Sequence, residues 1–149
     1  MWSEEIIDRK LILTHRRENT TLSTIDYIVP AQQNRGETLL FRTHACEQGR
    51  IILQLGTSSA DGAVAAALHV ARDVAGIDVN MGCPKKFSVD NGMGAALLAD
   101  QDRACAIVSA LKAALSIPVT AKVRLLSTRE ASIALLQRLQ AAGVDAVTV

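Results

Sequence analysis

The sequence predicts an α/β fold that forms part of a (β/α)8 barrel. From residue 51 onward, short β-branched runs alternate with longer segments of helical periodicity, which is typical of βα units feeding a parallel sheet. The preceding residues are richer in turn-forming types and predict an antiparallel arrangement. With 149 residues, 49% apolar and 21% charged, the chain suffices for one domain with its own core.

Four strands are expected in the βα region, at residues 51–55, 76–80, 119–125 and 145–149. A helix over residues 61–74 follows the first strand, with Ser58 or Ser59 as its cap and an apolar face that contains Leu68. A second helix is predicted over residues 102–115, and the spacing places Cys105 in its core-facing side.

The third helix is predicted to begin at a capping box formed by Ser127 and Glu130 and to end at Gly143. Residues 1–50 are interpreted as a separate region, in which segments 22–29 and 38–43 form a hairpin around a turn at 30–37. This hairpin is expected ahead of the parallel strands.

The predicted barrel is incomplete. The sequence ends within a strand, and its parallel strands number about half of the eight that close a (β/α)8 barrel. Residues 1–149 are therefore interpreted as an incomplete barrel domain, with residues 51–149 as its βα units.

Composition gives little evidence for a partner. A formal net charge of +1 does not indicate a nucleic-acid surface. The three cysteines lack zinc-site spacing and are odd in number, so neither a metal site nor a disulfide framework is expected. We expect a reducing, cytoplasmic location instead. No apolar run reaches the roughly 18 residues that a membrane span needs.

The loop after the second predicted strand carries the strongest functional signal. Cys83 lies between Gly82 and Pro84, a permissive and a rigid residue that together can aim one side chain at a fixed point. Ligands bind at the carboxyl ends of parallel strands. The alternative is that Cys83 is a small buried hydrophobe at a strand end.

Polar residues at the ends of neighbouring strands support a site. Alternation places Lys122 on the polar face of its strand, where a sheet covered on both sides would keep it from water. Such a lysine needs an anionic partner, and an ion pair with Asp78 is the structural alternative. Gln54 and Asn80 add amides on two further strands, so we expect a site for a polar planar ligand.

Three segments resemble a known family. The runs Asp-Val-Asn-Met-Gly-Cys-Pro-Lys at 78–85, Gly-Met-Gly-Ala-Ala-Leu-Leu at 92–98 and Val-Thr-Ala-Lys-Val-Arg at 119–124 closely resemble the hallmark segments of tRNA-dihydrouridine synthases, in the form of the eukaryotic Dus2-like branch. The resemblance implies a barrel that binds FMN, accepts hydride from NADPH and reduces the C5=C6 bond of a uridine in tRNA.

The same resemblance implies residue roles. Cys83 would be the general acid that protonates C5, Gln54 would bind the pyrimidine edge of the flavin and Lys122 would lie against the flavin ring. Asn80 would face the bound uracil in the substrate site, and Lys85 and Arg124 would meet tRNA phosphates. The family's first βα unit, its late strands and its tRNA-binding domains have no counterpart in the sequence.

Two alternatives remain at the level of function. Dihydroorotate dehydrogenases also carry an Asn-x-x-Cys-Pro segment in a flavin barrel, although Gly82 and the run at 92–98 favour the tRNA enzymes. The other alternative is a truncated, non-catalytic form that serves as a binding module.

Overall fold

The computed structural model describes residues 1–33 and 35–149. Its strands are β1 (Trp2–Ile7), β2 (His15–Asn19), β3 (Thr24–Val29), β4 (Thr38–His44), β5 (Ile52–Gly56), β6 (Gly76–Asn80), β7 (Val119–Lys122) and β8 (Ala146–Thr148). The helices are α1 (Asp8–Ile12), α2 (Ala60–Val70), α3 (Lys86–Asp90), α4 (Ala96–Ala99), α5 (Gln101–Ala114) and α6 (Arg129–Ala141).

A five-stranded parallel sheet with the order β1-β5-β6-β7-β8 forms the centre of the molecule. Consecutive strands of this sheet are neighbours, as in successive βα units. One face is apolar: Leu53, Ile77 and Val119 are fully buried there, and together with buried residues of α2 and α5 they form the core. The opposite face carries polar side chains.

The predicted α/β class with parallel βα units is confirmed. The strand at 76–80 has the predicted bounds, β5 is shifted by one residue, and β8 is shorter than predicted. β7 ends at Lys122 rather than at residue 125, although the Val123 amide still donates to the Thr148 carbonyl. Beyond that bond, the Arg124 side chain turns to the Gly82 carbonyl and the pairing ends.

The helices lie close to their predicted positions. Ser59, one of the two predicted caps, accepts from the Gly62 amide at the start of α2. The predicted capping box of α6 is wrong, because Thr128, not Ser127, is the cap and accepts from the Ala131 amide. The predicted face of α2 is also rotated, since Leu68 is 56% exposed.

The main correction concerns the first residues of the chain. β1 pairs in parallel with β5, with Glu5 opposite Gln54, so the βα units begin at Trp2 and not at residue 51. β1 is an edge strand that exposes Trp2 and Glu4, and an edge strand needs no run of apolar residues. Its composition therefore gave no strand signal.

The predicted hairpin is confirmed as β3 and β4, which pair antiparallel. It belongs to a three-stranded sheet, because β2 pairs with the other side of β3 and was not predicted. The predicted turn at 30–37 includes residue 34, which lies outside the described residues. This sheet is inserted between α1 and β5.

Buried polar contacts tie the antiparallel sheet to the βα units. The Tyr27 hydroxyl donates to Asp73 at 2.5 Å, and Arg16 donates to both oxygens of the same carboxylate at 2.8 and 3.1 Å. Burial would raise the Asp73 pKa, but the hydrogen bonds from Arg16 and Tyr27 lower it on balance. The inserted sheet is thus fixed to the segment that follows α2.

In the described part of the chain, no helix combines the length and apolar character that crossing a membrane requires.

Candidate active site

A chain of hydrogen bonds crosses the polar face of the parallel sheet. The Thr120 hydroxyl donates to one oxygen of Asp78 at 2.6 Å, and the Gln54 amide donates to the other at 2.8 Å. Asn80 donates to the Gln54 carbonyl oxygen at 3.1 Å. Because the register sets Gln54, Asp78 and Thr120 side by side, strand pairing alone aligns these groups.

Asn80 joins this chain to the loop that carries Cys83. Its side-chain oxygen accepts from the backbone amides of Gly82 and Cys83, both at 3.0 Å. Asn80 is 9% exposed, so the two bonds lie largely away from water. The amide predicted to face a substrate base therefore also fixes the backbone of the loop.

Gly94 holds the same loop from the other side. It has φ +58°, and a Cβ at this position would lie 2.6 Å from the Cys83 carbonyl oxygen. The Ala95 amide donates to that oxygen at 2.9 Å. The second glycine of the Gly-Met-Gly segment is thus required by a close backbone approach and by its left-handed conformation.

Cys83 is a partly exposed residue in the loop that follows the carboxyl end of β6. The Ser88 hydroxyl, which is buried, donates to its sulfur at 3.5 Å. Cys105, in contrast, packs against the hydrophobic core as predicted. The alternative interpretation of Cys83 as a core hydrophobe is not supported, because its sulfur has a polar neighbour and the residue is partly exposed.

Glu5 lies on the polar face of β1 and was missed by sequence reasoning. Burial raises the pKa of its carboxyl group, against the opposing effects of the Cys83 thiol and the Lys85 ammonium. Its Oε1 is buried without a hydrogen-bond partner among the described residues. Recognition of β1 as a strand opposite β5 would have placed Glu5 beside Gln54.

Lys122 does not occupy the buried position that was predicted. It is exposed at the end of β7, and a depression of about 340 Å³ is lined by Lys122, Gln54, Thr148, Ser3 and Trp2. The alternative ion pair with Asp78 does not form, because Thr120 and Gln54 already occupy both oxygens of Asp78. The prediction assumed a sheet covered on both faces, whereas the polar face is exposed at the end of β7, where Lys122 lies.

The remaining predicted site residues lie around the Cys83 loop. Lys85 is exposed immediately before α3. The Arg124 guanidinium donates to the Gly82 carbonyl, so at least one of its nitrogens supports the loop. Gln54, Asn80, Cys83 and Arg124 are therefore brought together by one hydrogen-bonded arrangement, and Lys122 lies on the same face.

The donor set fits a polar planar ligand better than a metal ion. No group of three His, Cys, Asp or Glu side chains suited to a metal occurs in the described residues. The ammonium of Lys122 takes part in none of the ion pairs of residues 1–33 and 35–149, and it borders a depression that also presents the Gln54 amide. A ring with hydrogen-bonding edges and a tendency to accumulate negative charge suits these groups.

Comparison with known proteins decides the family. The family model described as dihydrouridine synthase (Dus) matches residues 1–149. The chain belongs to the dihydrouridine synthase family. This membership selects between the two flavin-enzyme families that the Cys83 segment left open, in favour of the dihydrouridine synthases.

Individual relatives agree with the family assignment. The chain is 47% identical over 155 residues to the tRNA-dihydrouridine(20) synthase [NAD(P)+] of Saccharomyces cerevisiae, covering all of this chain and 40% of that protein. It is 43% identical to the protein of the same name from Schizosaccharomyces pombe, covering all of this chain and 32% of the relative. A tRNA-dihydrouridine(20a/20b) synthase [NAD(P)+] of Saccharomyces cerevisiae is 30% identical over 69% of the chain.

The chain thus spans about two fifths of the length of the first relative and a third of the second. Their alignment over the whole chain supports the predicted similarity to the Dus2-like branch.

Proposed function

We propose that this chain is part of the catalytic barrel of an enzyme that reduces a uridine of tRNA to 5,6-dihydrouridine, with FMN as bound cofactor and NADPH as reductant. The observation that carries the proposal is the Cys83 thiol, held by backbone contacts at the carboxyl end of β6 beside the polar face. The names of the two full-length matches specify position 20, and we propose that uridine in cytoplasmic tRNA as the substrate.

Cys83 has the role of general acid in this proposal. Bound FMN, once reduced by NADPH, would supply the hydride for C6 of the uracil. The Cys83 thiol then donates its proton to C5, so an S–H bond breaks as a C–H bond forms. Thiols are mostly protonated at neutral pH and can act as acids without special activation.

Lys122 and Gln54 hold the cofactor. The Lys122 ammonium lies at the depression with no ion-pair partner among the described residues and can stabilise negative charge on the pyrimidine part of a reduced flavin. Gln54 uses its oxygen for Asn80 and one N–H for Asp78, which leaves a second N–H to donate to a ligand.

Three residues meet the nucleic acid. Asn80 directs its oxygen to the loop backbone, and its remaining N–H is available for the edge of a uracil that has left its stack. Lys85 is exposed and can neutralise a phosphate. Arg124 has further N–H donors for a phosphate besides the one that binds Gly82.

The first test is an absorption titration of the purified 149-residue chain with FMN. We expect the visible bands of a protein-bound flavin, and Lys122→Ala is expected to weaken FMN binding about tenfold by removing one charged contact. Lys10→Ala is the control, since Lys10 is another exposed lysine, on α1, and does not line the depression. Equal affinities for both variants would overturn the role of Lys122.

The second test measures turnover. Residues 1–149 replace the matching segment of the Saccharomyces cerevisiae relative, and dihydrouridine formation is followed on unmodified tRNA with NADPH. We expect activity in this chimaera and a loss of about a hundredfold or more with Cys83→Ala, the usual contribution of a general acid. Cys46→Ala, at an exposed cysteine far from the loop, is expected to retain activity. Full activity in Cys83→Ala would exclude the acid role.

An inactive chimaera that folds and binds no flavin would instead favour the non-catalytic binding module.

A further inference from the structure

The donors and acceptors around Cys83 leave one pairing incomplete. The sulfur accepts a hydrogen bond from Ser88 at 3.5 Å, so the thiol hydrogen must point elsewhere. The Glu5 carboxyl lies close enough to the thiol for the thiol to lower its pKa, and its Oε1 is buried without a partner in the described residues. Buried acceptors are seldom left without a donor.

Backbone geometry directs Glu5 to this place. β1 pairs with β5 so that Glu5 stands opposite Gln54, on the same face as the hydrogen-bond chain. A Cβ on Gly56 would lie 2.8 Å from Oε1 of Glu5 and 3.3 Å from its carboxyl carbon. The carboxyl group thus lies directly over Gly56, in space that any side chain there would occupy.

We infer that Glu5 is a positioning residue for the Cys83 thiol: it accepts the S–H hydrogen bond and keeps the sulfur protonated, while Ser88 holds the sulfur from the other side. The inference rests on the proposed acid role of Cys83 and extends it to two residues. A carboxylate next to a thiol disfavours the thiolate, and a hydroxyl donor favours it. Glu5 and Ser88 therefore have opposite effects on the balance between the thiol and the thiolate of Cys83.

Two positive groups lie near the loop, and a further carboxylate on this face, Asp78, is bound through both oxygens by Thr120 and Gln54. Lys85 acts on the Glu5 carboxyl, and Arg124 binds the Gly82 carbonyl one residue before Cys83. Both favour a thiolate and would promote loss of the thiol proton. The Glu5 carboxylate has the opposite effect, which is the effect that an acid donor needs.

The test measures how fast iodoacetamide alkylates Cys83 in the 149-residue chain between pH 6 and 9, with each cysteine-containing peptide quantified by mass spectrometry. The rate of alkylation is proportional to the fraction of the cysteine that is present as thiolate. In Glu5→Gln we expect the whole profile to move to lower pH, with Cys83 reacting at least about fivefold faster near neutral pH, the effect of one unit charge about 4 Å away even in water. In Ser88→Ala we expect slower alkylation.

Matched controls separate this effect from damage to the fold. Glu4→Gln removes the same charge from the adjacent, exposed residue of β1 and is expected to leave the Cys83 profile unchanged. Exposed Cys46 reports on each sample and should react at the same rate throughout. General loosening of the fold would make the alkylation of Cys83 faster in both Glu5→Gln and Ser88→Ala. The inference instead requires faster alkylation in Glu5→Gln and slower alkylation in Ser88→Ala.

An unchanged Cys83 profile in Glu5→Gln, or acceleration in both variants, would overturn the inference. Neither result depends on flavin or tRNA, so the proposed reduction of uridine would stand or fall separately on the turnover of the Cys83→Ala chimaera.

Discussion

At the scale of single residues, the backbone of the Cys83 loop is held by close contacts with its neighbours, most of them backbone groups. Gly94 has φ +58° and brings its backbone against Cys83, and the Ala95 amide binds the Cys83 carbonyl. On the opposite side, the Asn80 side-chain oxygen accepts a hydrogen bond from the Cys83 backbone amide. The backbone on either side of the thiol is thereby fixed before any ligand arrives.

We expect Gly94→Ala to destabilise the protein by roughly 2 kcal/mol, because a left-handed alanine costs about 1–2 kcal/mol and its methyl group would meet the Cys83 carbonyl oxygen. Urea unfolding monitored by circular dichroism measures the change. Gly49→Ala is the control: no heavy atom lies within 4 Å of a Cβ there, and we expect a change within about 0.5 kcal/mol. Similar losses in both variants would contradict this account of Gly94.

Much of the site was predictable from single residues, and the exceptions have physical causes. Cys83, Asn80 and Gln54 were found because each lies within or soon after an apolar strand with clear boundaries. Glu5 was not found, since the exposed edge strand that carries it has no apolar alternation. The burial of Lys122 was overestimated, because the covering of a sheet face cannot be read from one strand.

At the scale of elements, the antiparallel sheet is held to the βα units through Asp73. Arg16 of β2 binds both oxygens of this carboxylate and is 20% exposed, whereas its neighbour Arg17 pairs with Glu37 on the surface and is 52% exposed. Two adjacent arginines of one strand thus make a partly buried and an exposed ion pair. The Arg16 pair attaches the antiparallel sheet to the βα units, whereas the Arg17 pair is a surface interaction.

Arg16→Gln is expected to lower the free energy of unfolding by about 2 kcal/mol, because Asp73 loses a charged partner in a buried position. Arg17→Gln carries the same charge change on the same strand and is expected to cost less than about 0.5 kcal/mol. Thermal unfolding of the two variants against the unaltered chain gives the comparison. Equal destabilisation would show that Asp73 does not anchor the inserted sheet.

The elements themselves were predicted unevenly. Helices α2, α5 and α6 and the strands between them followed from periodicity and from Gly and Pro boundaries. β2 could not be predicted, because His15–Asn19 is polar throughout and forms a strand only through its pairing with β3. The cap of α6 fell one residue from its predicted place, since Ser127 and Thr128 are chemically equivalent as caps.

At the scale of the whole molecule, three carboxylates link distant parts of the chain. Arg42 lowers the pKa of Asp26 within the antiparallel sheet, and Lys112 and the Val119 amide lower the pKa of Asp145 between α5 and the β7–β8 region. The pKa of Asp73, which lies between the two sheets, is likewise lowered. Each of these groups is ionised more easily in the folded state than in the unfolded state.

We therefore expect the protein to lose stability in acid. A carboxyl group whose pKa is lowered by folding contributes its full stabilisation above the unfolded value of 3.8 and loses it as the pH falls further toward the folded value. The free energy of unfolding, measured between pH 7 and 2, should fall mainly below about pH 4. In Asp73→Asn this decline should be shallower, and an unchanged slope would exclude Asp73 as a contributor.

The hydrogen bonds from Asp78 to the loop also have a direction. A carboxylate can only accept, so Gln54 must present its nitrogen to Asp78 and its oxygen to Asn80, and Asn80 must then present its nitrogen to Gln54 and its oxygen to the amides of Gly82 and Cys83. The backbone amides at the loop end can only donate, so the orientation of both side-chain amides is fixed from the sheet and from the loop alike. An asparagine in place of Asp78 would remove the fixed acceptor at the sheet end, and the two loop amides alone would then hold Asn80 in its orientation while every strand remained in place.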